Sequence, residues 1–320
     1  MDLPIVTMLL QIISILGGII AVLWGADRLT EGAVAVAERF KVPQLIIGLT
    51  IVAIGTSMPE FTVSLLAAIK GTPDLAVGNV VGSNIFNALG IVGITAMIAP
   101  MTILPVTVRK DLPFALVASF MLVVLALNSE ISRFDSFVMF ALFVIFMVLT
   151  LRGAKEEPGG ETDMPAAAPM PMWKALLFLG LGLAGLIVGS NFFVEGASAV
   201  AASLGVSQAV IGLTIVAIGT SLPELATSVV AARKGNSGIA IGNVIGSNVF
   251  NILFILGLTG LISPMQIAGI TKIDFALLIG SMMVLWLFSY TKLNIARWEG
   301  GVLLAIFVGY LTWLVSNAAV

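Results

Sequence analysis

The sequence predicts an all-α polytopic membrane protein whose ten transmembrane helices form two inverted repeats of five helices. Three observations predict this fold class: an apolar composition, ten charge-poor segments, and an internal duplication. The 320 residues are 59% hydrophobic and 10% charged, and the mean hydropathy is +1.14. A soluble domain carries roughly 25% charged residues and could not keep this much apolar surface away from water. Most of the chain is therefore expected to contact lipid.

Ten charge-poor segments are near the ~20 residues that a helix needs to cross the hydrocarbon core. They are 5–26, 42–69, 75–99, 112–129, 136–151, 175–194, 206–232, 237–263, 275–291 and 300–317. One charged residue interrupts the second segment and one the seventh, Glu60 and Glu224. The first segment lacks the positively charged start of a signal peptide, so it predicts a transmembrane helix.

Lys and Arg are distributed unevenly between the two sides of the predicted bundle. The loops after odd-numbered helices carry 11 of them, and the loops after even-numbered helices carry 3. The positive-inside rule therefore predicts that both termini lie outside and that the segment 152–172 is cytoplasmic. Its composition predicts a flexible linker between a first half, 1–151, and a second half, 173–320. Four charged residues near the ends of helices 1 and 6 are expected to anchor at the interface or to pair with each other: Asp27, Arg28, Glu31 and Glu195.

The second half of the sequence repeats the first. Residues 44–101 align with 208–265 at a constant offset of 164, without gaps and with about 35 of 58 positions identical, which indicates a duplication. Each half contains five predicted spans, an odd number, so the second half must be inverted relative to the first. Inverted repeats with a site near the bilayer midplane are typical of transporters.

Each half contains a helix with a predicted break beside a carboxylate. The segments read AIGTSMPE at 53–60 and AIGTSLPE at 217–224. Proline lacks a backbone donor and collides with the carbonyl four residues earlier, that of Gly55 or Gly219, so the helix is expected to kink. Such a break is tolerated inside a membrane only where it is buried or lines a cavity. Thr, Ser and Glu oxygens are thus expected to cluster around both breaks.

The next helix of each half carries amide and hydroxyl side chains at four-residue spacing, on one helical face. The two stripes are Asn79, Ser83 and Asn87, and Asn243, Ser247 and Asn251. Structural hydrogen bonds rather than ion contacts are expected of four amides on these helices: Asn79, Asn243, Asn84 and Asn248. Paired glycines are expected to allow close helix packing: Gly78 with Gly82, and Gly242 with Gly246.

The predicted cluster offers only oxygen ligands, which hard cations such as Ca²⁺ and Na⁺ prefer. The chain has no His and no Cys, which excludes the usual haem, iron–sulfur and zinc sites and any His-based triad. Two carboxylates near the midplane, Glu60 and Glu224, would repel each other unless cations or protons neutralise them. One divalent ion, two monovalent ions or two protons would each balance the pair, and mutually exclusive binding of these loads is the minimal basis of antiport.

Other functions fit the sequence less well. A formal charge of −2 without basic runs argues against nucleic-acid binding, and no Walker motif indicates an ATP-driven pump. An intramembrane hydrolase would need a nucleophile with a base, and the serines near Glu60 have no lysine partner. A passive cation channel could use the same ligands, but inverted repeats with broken helices favour alternating access. No cofactor and no obligatory protein partner is predicted; the expected surroundings are the lipid bilayer and the ions.

The paired GTSxPE segments, each followed by GNxxGSNxxN, resemble the α-repeats of the calcium/cation antiporter superfamily, and within it the prokaryotic sodium/calcium exchangers. The resemblance implies Na⁺/Ca²⁺ exchange across the inner membrane by alternating access, with helices 1 and 6 sliding against the remaining core. It also implies that Glu60 and Glu224 are the central Ca²⁺ ligands. Flanking Na⁺ sites would use hydroxyls and two backbone carbonyls, those of Thr56, Ser57, Thr220, Ser221, Ser83, Ser247, Ala53 and Ala217.

The sequence departs from this superfamily at one position. Many members, including the potassium-dependent branch, place Asp where this chain has Asn251, the counterpart of Asn87. The departure leaves two carboxylates among the expected cation ligands, argues against K⁺ co-transport and leaves the stoichiometry open. The alternative function is H⁺/Ca²⁺ antiport with the same glutamates as proton carriers. Proton-coupled members usually carry a different segment in place of GTSxPE, which favours Na⁺ here.

Overall fold

The computed structural model describes residues 3–156, 170–205, 215–267 and 269–318. The helices are α1 (Leu3–Phe40), α2 (Gln44–Thr56), α3 (Met58–Ile69), α4 (Pro73–Ile98), α5 (Thr107–Asn128), α6 (Arg133–Glu156), α7 (Met172–Ser203), α8 (Ala217–Thr220), α9 (Leu222–Arg233), α10 (Ser237–Ile262), α11 (Lys272–Lys292) and α12 (Arg297–Ala318). Four two-residue strands lie between helices: β1 (Met101–Thr102), β2 (Glu130–Ile131), β3 (Met265–Gln266) and β4 (Asn294–Ile295).

The polytopic helical class predicted from composition is confirmed. Within the described ranges, eight helices are long and apolar enough to cross a membrane, and the bent pair α2–α3 brings the number to nine. The remaining predicted span, 206–232, begins outside the described residues, and its described end forms α8 and α9. The other nine predicted spans each coincide with one of these helices or with the bent pair.

The helices α1 and α7 are longer than the predicted spans 5–26 and 175–194. Each continues as a regular helix beyond the first charged residue that ended the predicted segment, Asp27 in α1 and Glu195 in α7. A charge ends an apolar run but does not end a helix, because Asp, Glu, Lys and Arg are compatible with helical geometry when their polar ends are paired or hydrated. The sequence pattern therefore located these spans and underestimated their length.

Helices extend into both ends of the predicted linker 152–172. Helix α6 continues to Glu156, five residues beyond the predicted end of the first half, and α7 begins at Met172. The first proline after Arg152 is Pro158, and proline is the residue that a helix interior does not tolerate. Residues 157–169 lie outside the described part of the chain.

The charged residues of α1 form an ion-pair cluster with Lys234 at the end of α9. Arg28 pairs with Asp27, and its Nη1 lies 3.0 Å from Glu31 Oε2. Lys234 Nζ pairs with the Asp27 carboxylate and lies 3.3 Å from Glu31 Oε1. The Arg28 guanidinium also lies 4.9 Å from the ring centroid of Phe178 on α7. The expected pairing is confirmed for Asp27, Arg28 and Glu31, whereas Glu195 forms no salt bridge among the described residues. The cluster connects three helices at one end of the molecule.

The helices α1 and α7 pack backbone against backbone through glycines. A Cβ built at Gly25 would lie 2.7 Å from the carbonyl oxygen of Gly182, and one built at Gly189 would lie 2.7 Å from that of Gly18. Small residues at such positions allow helices in a membrane to approach closely. These two helices therefore form a tightly joined pair.

The helices α4 and α10 form the centre of the molecule. In the most apolar 18-residue stretch of α10, 94% of the residues are buried, and in the corresponding stretch of α4 78% are buried. A Cβ built at Gly242 would lie 2.7 Å from Leu45 O of α2, and one at Gly246 would lie 2.6 Å from Leu49 O. The close approach predicted for the second-half glycine pair is confirmed. The equivalent neighbours of the first-half pair, residues 209–213, fall outside the described ranges.

The short strands show that the duplicated halves are inverted. β1 pairs with β4, with Met101 opposite Ile295, and β2 pairs with β3, with Ile131 opposite Met265. The offset of 164 relates β1 to β3 and β2 to β4, so equivalent strands lie in different sheets and each sheet combines one strand from each half. A duplication with an approximate two-fold axis between the halves produces this exchange.

Candidate cation-binding site

The predicted helix breaks are present in both halves. The helices α2 and α3 meet at an angle of 47° around Ser57, which has φ −84° and ψ 8°. Ser221 occupies the same position between α8 and α9 with φ −92° and ψ 10°. The proline after each break lies in the first turn of the following helix, where a missing N–H is tolerated because no intrahelical acceptor exists for it. The next residue is the glutamate of the repeated motif, Glu60 in α3 and Glu224 in α9.

Each glutamate accepts a hydrogen bond from a serine of the opposite half. Ser57 Oγ donates to Glu224 Oε1 at 2.8 Å, and Ser221 Oγ donates to Glu60 Oε1 at 2.8 Å. Glu60 is 0% exposed and Glu224 is 1% exposed, so both carboxylates are buried where these bonds join the two halves. The structure therefore brings the two breaks and the two glutamates to one point, as the duplicated motif predicts.

Hydroxyl groups from the neighbouring helices complete this arrangement. Ser221 Oγ also lies 3.3 Å from Ser83 Oγ of α4. The hydroxyls of Thr56 and Ser247 lie beside the Glu224 carboxylate. All of these hydroxyls are buried. Hydroxyl oxygens can donate a proton to a carboxylate and still offer lone pairs to a cation, so they are suited to a site that holds ions of different charge.

The first amide of each stripe braces the backbone of a glutamate. Asn79 Nδ2 donates to Glu60 O at 3.2 Å and to Ser64 Oγ at 2.9 Å. Asn243 makes the equivalent bonds in the second half, and its Oδ1 also accepts a bond from Thr56 Oγ1 at 3.0 Å. The structural role predicted for both amides is confirmed. The contact with Thr56 ties the second stripe to the first break, which the sequence did not indicate.

Five buried oxygens of the predicted site residues have no hydrogen-bond partner among the described residues. They are Glu60 Oε2, Glu224 Oε2, Asn87 Oδ1, Asn251 Oδ1 and Ser247 Oγ. An unsatisfied buried polar group costs roughly 1–3 kcal/mol, and a charged one costs more. Two carboxylate oxygens with unpaired amide and hydroxyl oxygens form a donor set suited to a hard cation. No group of three or more acidic, His or Cys side chains that could hold a metal ion occurs among the described residues, which is consistent with a candidate site built on two carboxylates.

The structure gives fewer contacts for the remaining predicted residues, Ala53, Thr220 and Ala217. The Ala53 carbonyl accepts bonds from Ser57 N at 3.1 Å and from Thr56 Oγ1 at 3.4 Å. Thr220 is buried at the end of α8. Ala217 is the first residue of α8, and the side chain of this alanine is outside the described part of the chain. Both alanines therefore begin the helical turn that precedes a break.

A second contact of a site residue was not predictable from the sequence. Asn248, predicted to be structural, accepts a hydrogen bond at Oδ1 from Asn87 Nδ2 at 3.0 Å, across the two halves. Asn84, its counterpart, donates to Val80 O of its own helix at 2.9 Å. The identical motif letters of the two halves could not have indicated this difference.

Comparison with known proteins gives consistent results. Residues 10–152 and 174–316 match the family model described as "Sodium/calcium exchanger protein". The chain is 39% identical to CaxA of Alkalimonas amylolytica over 319 residues, covering 97% of this chain and 100% of that protein. It is 35% identical to the inner membrane protein YrbG of Escherichia coli K12 over 317 residues, covering 96% of each. The fold is similar to that of the sodium-calcium exchanger NCX_Mj, with a TM-score of 0.84, 32% identity, and coverage of 96% of this chain and 99% of that one.

Proposed function

The chain belongs to the sodium/calcium exchanger family, and from that premise we propose that it exchanges Na⁺ for Ca²⁺ across the membrane, with Glu60 and Glu224 as the central cation ligands. Membership makes the chain an integral membrane cation antiporter and not an enzyme. The observation that carries the proposal is the reciprocal Ser–Glu bonding, which joins the two halves and leaves one oxygen of each carboxylate unpaired among the described residues.

Charge balance at the site explains why Ca²⁺ and Na⁺ would compete for it. The two buried carboxylates carry a charge of −2 when ionised, and their mutual repulsion opposes ionisation without a cation. One Ca²⁺ or two Na⁺ would restore neutrality. Asn87 and Asn251 contribute oxygen without charge, so they would add ligands and leave the required positive charge unchanged. Once one Ca²⁺ or two Na⁺ neutralise the carboxylates, the electrostatic attraction for the other ion is lost. Mutually exclusive binding of this kind is the requirement for exchange.

The proposed ligand set extends beyond the glutamates. We assign the flanking cation positions to the hydroxyl, amide and carbonyl oxygens that surround the breaks: Thr56, Thr220, Ser57, Ser221, Ser83, Ser247, Asn87, Asn251, Ala53 and Ala217. Support comes from the burial of the described side chains and from the hydroxyl contacts to both carboxylates. The solved NCX_Mj structures include ones soaked with Na⁺ and Sr²⁺ and ones soaked with Na⁺ and Ca²⁺, which supports Na⁺ and Ca²⁺ as the substrates of this chain.

We further propose an inner-membrane location with both termini outside, with 152–172 as a cytoplasmic linker between halves 1–151 and 173–320. The uneven distribution of Lys and Arg supports this orientation, and the relative YrbG is an inner membrane protein. The closely packed pair α1–α7 would be the unit that slides against the rest of the bundle. Its closest glycine contacts are within the pair, which supports movement as one unit.

The test is ion flux in proteoliposomes that contain the purified full chain. Vesicles loaded with Na⁺ are diluted into Na⁺-free medium with radioactive Ca²⁺, and parallel samples carry only a K⁺ or an H⁺ gradient. The proposal predicts Ca²⁺ uptake that requires internal Na⁺ and continues when an ionophore removes the proton gradient. Uptake driven by the proton gradient alone would identify H⁺/Ca²⁺ antiport. Ca²⁺ that equilibrates without counterflow would identify a channel.

A further inference from the structure

The two asparagines next to the polar stripes, Asn84 and Asn248, make different contacts although their sequence surroundings are nearly identical. Asn84 satisfies its nitrogen within its own helix, at Val80 O. Asn248 reaches the other half and accepts a bond from Asn87 Nδ2 at 3.0 Å. Asn84, Asn87 and Asn248 are all buried, so none of the three amides can exchange these partners for bulk water. The two halves are therefore equivalent in sequence at this point and different in hydrogen bonding.

A methionine in α11 accounts for the difference. Asn248 Nδ2 donates to Met282 Sδ at 3.2 Å. The offset of 164, which also relates β2 to β4, places Ala118 of α5 at the equivalent position, and an alanine side chain offers Asn84 no acceptor. A thioether sulfur accepts hydrogen bonds and cannot donate them. Asn248 must therefore turn its nitrogen towards Met282, which turns its oxygen towards Asn87.

The orientation of the Asn248 amide determines the orientation of the Asn87 amide. Because Asn248 presents an oxygen, Asn87 must present its nitrogen, and its own Oδ1 is then left without a hydrogen-bond partner among the described residues. Only the oxygen of an amide can bind a cation, since the NH₂ group carries partial positive charge. Asn251 differs, because within the described chain neither atom of its amide has a partner. Of these two equivalent amides, only that of Asn87 is held in one orientation.

We propose that Asn248 and Met282 are positioning residues that hold the Asn87 carbonyl oxygen towards the transported cation. Asn87 lies one helical turn from Ser83, which contacts the serine bonded to Glu60. The first-half amide is then a fixed ligand, and Asn251 is an adaptable one. This proposal rests on the proposed function, because it assigns Asn87 to the cation site. Loss of the Asn248 oxygen would allow Asn87 to rotate and to turn its NH₂ group towards the ion.

The test uses Asn248→Leu, which keeps the branched shape of the side chain and removes the acceptor of Asn87, and Met282→Leu, which nearly keeps side-chain volume and removes the acceptor of Asn248. Asn84→Leu is the matched control, since Asn84 contacts only its own helix among the hydrogen bonds described. Initial rates of Na⁺-driven Ca²⁺ uptake are measured against Ca²⁺ concentration in proteoliposomes. Asn248→Leu is expected to raise KM for Ca²⁺ by about threefold to tenfold, the range for one lost hydrogen bond. Met282→Leu is expected to raise KM less, and Asn84→Leu is expected to leave it within about twofold of the wild-type value.

A double substitution separates positioning from a general structural effect. If Asn248 acts through Asn87, Asn248→Leu should not raise KM further in an Asn87→Ala background. Equal KM effects in both backgrounds would overturn the proposal, as would an unchanged KM in both Asn248→Leu and Met282→Leu. In these cases wild-type exchange would leave the proposed function standing. Absence of Na⁺-driven Ca²⁺ uptake by the wild-type chain would overturn the proposed function and the positioning role together. Gel filtration of each variant in detergent checks that it is folded.

Discussion

The Ser57 hydroxyl donates a hydrogen bond to Glu224 at 2.8 Å, although 167 residues separate the two in the sequence. Ser57 forms the break between α2 and α3, whereas Glu224 opens the second part of the equivalent broken helix in the other half. The reciprocal bond from Ser221 to Glu60 has the same length. Each half therefore supplies one carboxylate and the hydroxyl that binds the other, and neither half alone contains a complete site.

Removing either serine hydroxyl should weaken Ca²⁺ binding to a similar degree. Ser57→Ala and Ser221→Ala each leave a buried carboxylate oxygen without its donor, and a hydrogen bond to a charged group contributes roughly 1.5–3 kcal/mol. We expect KM for Ca²⁺ to rise by about tenfold or more in both variants. Ser190→Ala is the control, because among the described residues that buried hydroxyl bonds only to Ile187 O of its own helix. Wild-type KM in both variants would show that these bonds do not orient the carboxylates.

Because α1 packs closely on α7, replacing Gly182 of α7 by a larger residue should lower the thermal stability of the protein. A Cβ at Gly182 would lie 2.5 Å from Leu29 N and 2.8 Å from Gly25 O, whereas one at Gly180 would meet no atom within 4 Å. Gly182→Ala must separate the two backbones, and overpacking of this kind costs roughly 1–3 kcal/mol. We expect thermal unfolding in detergent to shift down by several degrees for Gly182→Ala and to be unchanged or slightly raised for Gly180→Ala. Equal melting temperatures would contradict the tight α1–α7 contact.

The ion-pair cluster at Lys234 should add a small, salt-sensitive contribution to stability. Its side chains are 28–34% exposed, so solvent screening limits the expected effect of Lys234→Met to roughly 1 kcal/mol or less. The control is Lys70→Met, since Lys70 is the equivalent residue of the first half and makes no salt bridge within the described ranges. Melting curves in choline chloride avoid effects of Na⁺ binding. The difference between the two variants should shrink in 1 M salt, and a salt-independent difference would exclude an electrostatic origin.

The proposed orientation can be tested directly because the chain contains no cysteine. Asn128 lies at the end of α5, next to the β2–β3 sheet, and Thr102 lies in β1 at the opposite sheet; both are exposed. In intact cells a membrane-impermeant maleimide should label Asn128→Cys and should label Thr102→Cys only after permeabilisation. The reverse pattern would place both termini in the cytoplasm.

The features that could be predicted from the sequence are those that the duplication displays twice. The breaks before Glu60 and Glu224 and the stripes on α4 and α10 recur at one offset, so composition and periodicity located the centre of the site. Because the two halves are inverted, their contacts cross, and the same symmetry placed each serine near the opposite glutamate.

What the sequence could not show depends on residues that differ between the halves and lie on other helices. The contact of Asn248 with Asn87 follows from Met282 in α11, where the first half has Ala118. No local pattern connects these positions, since their proximity arises only when α10 packs against α11. The length of α1 was underestimated for a related reason: the charge at Asp27 is neutralised by Lys234, more than 200 residues away along the chain.

The most direct test of a shared two-carboxylate site is Na⁺-driven uptake of radioactive Ca²⁺ by Glu60→Gln and Glu224→Gln in proteoliposomes. Glu195→Gln, which changes an exposed carboxylate of α7, is the matched control. Each site variant loses one of the two negative charges that balance Ca²⁺, so we expect uptake to fall to the background of protein-free vesicles in both, with wild-type uptake by the control. Wild-type Ca²⁺ uptake by either Glu60→Gln or Glu224→Gln would contradict a site that requires both glutamates.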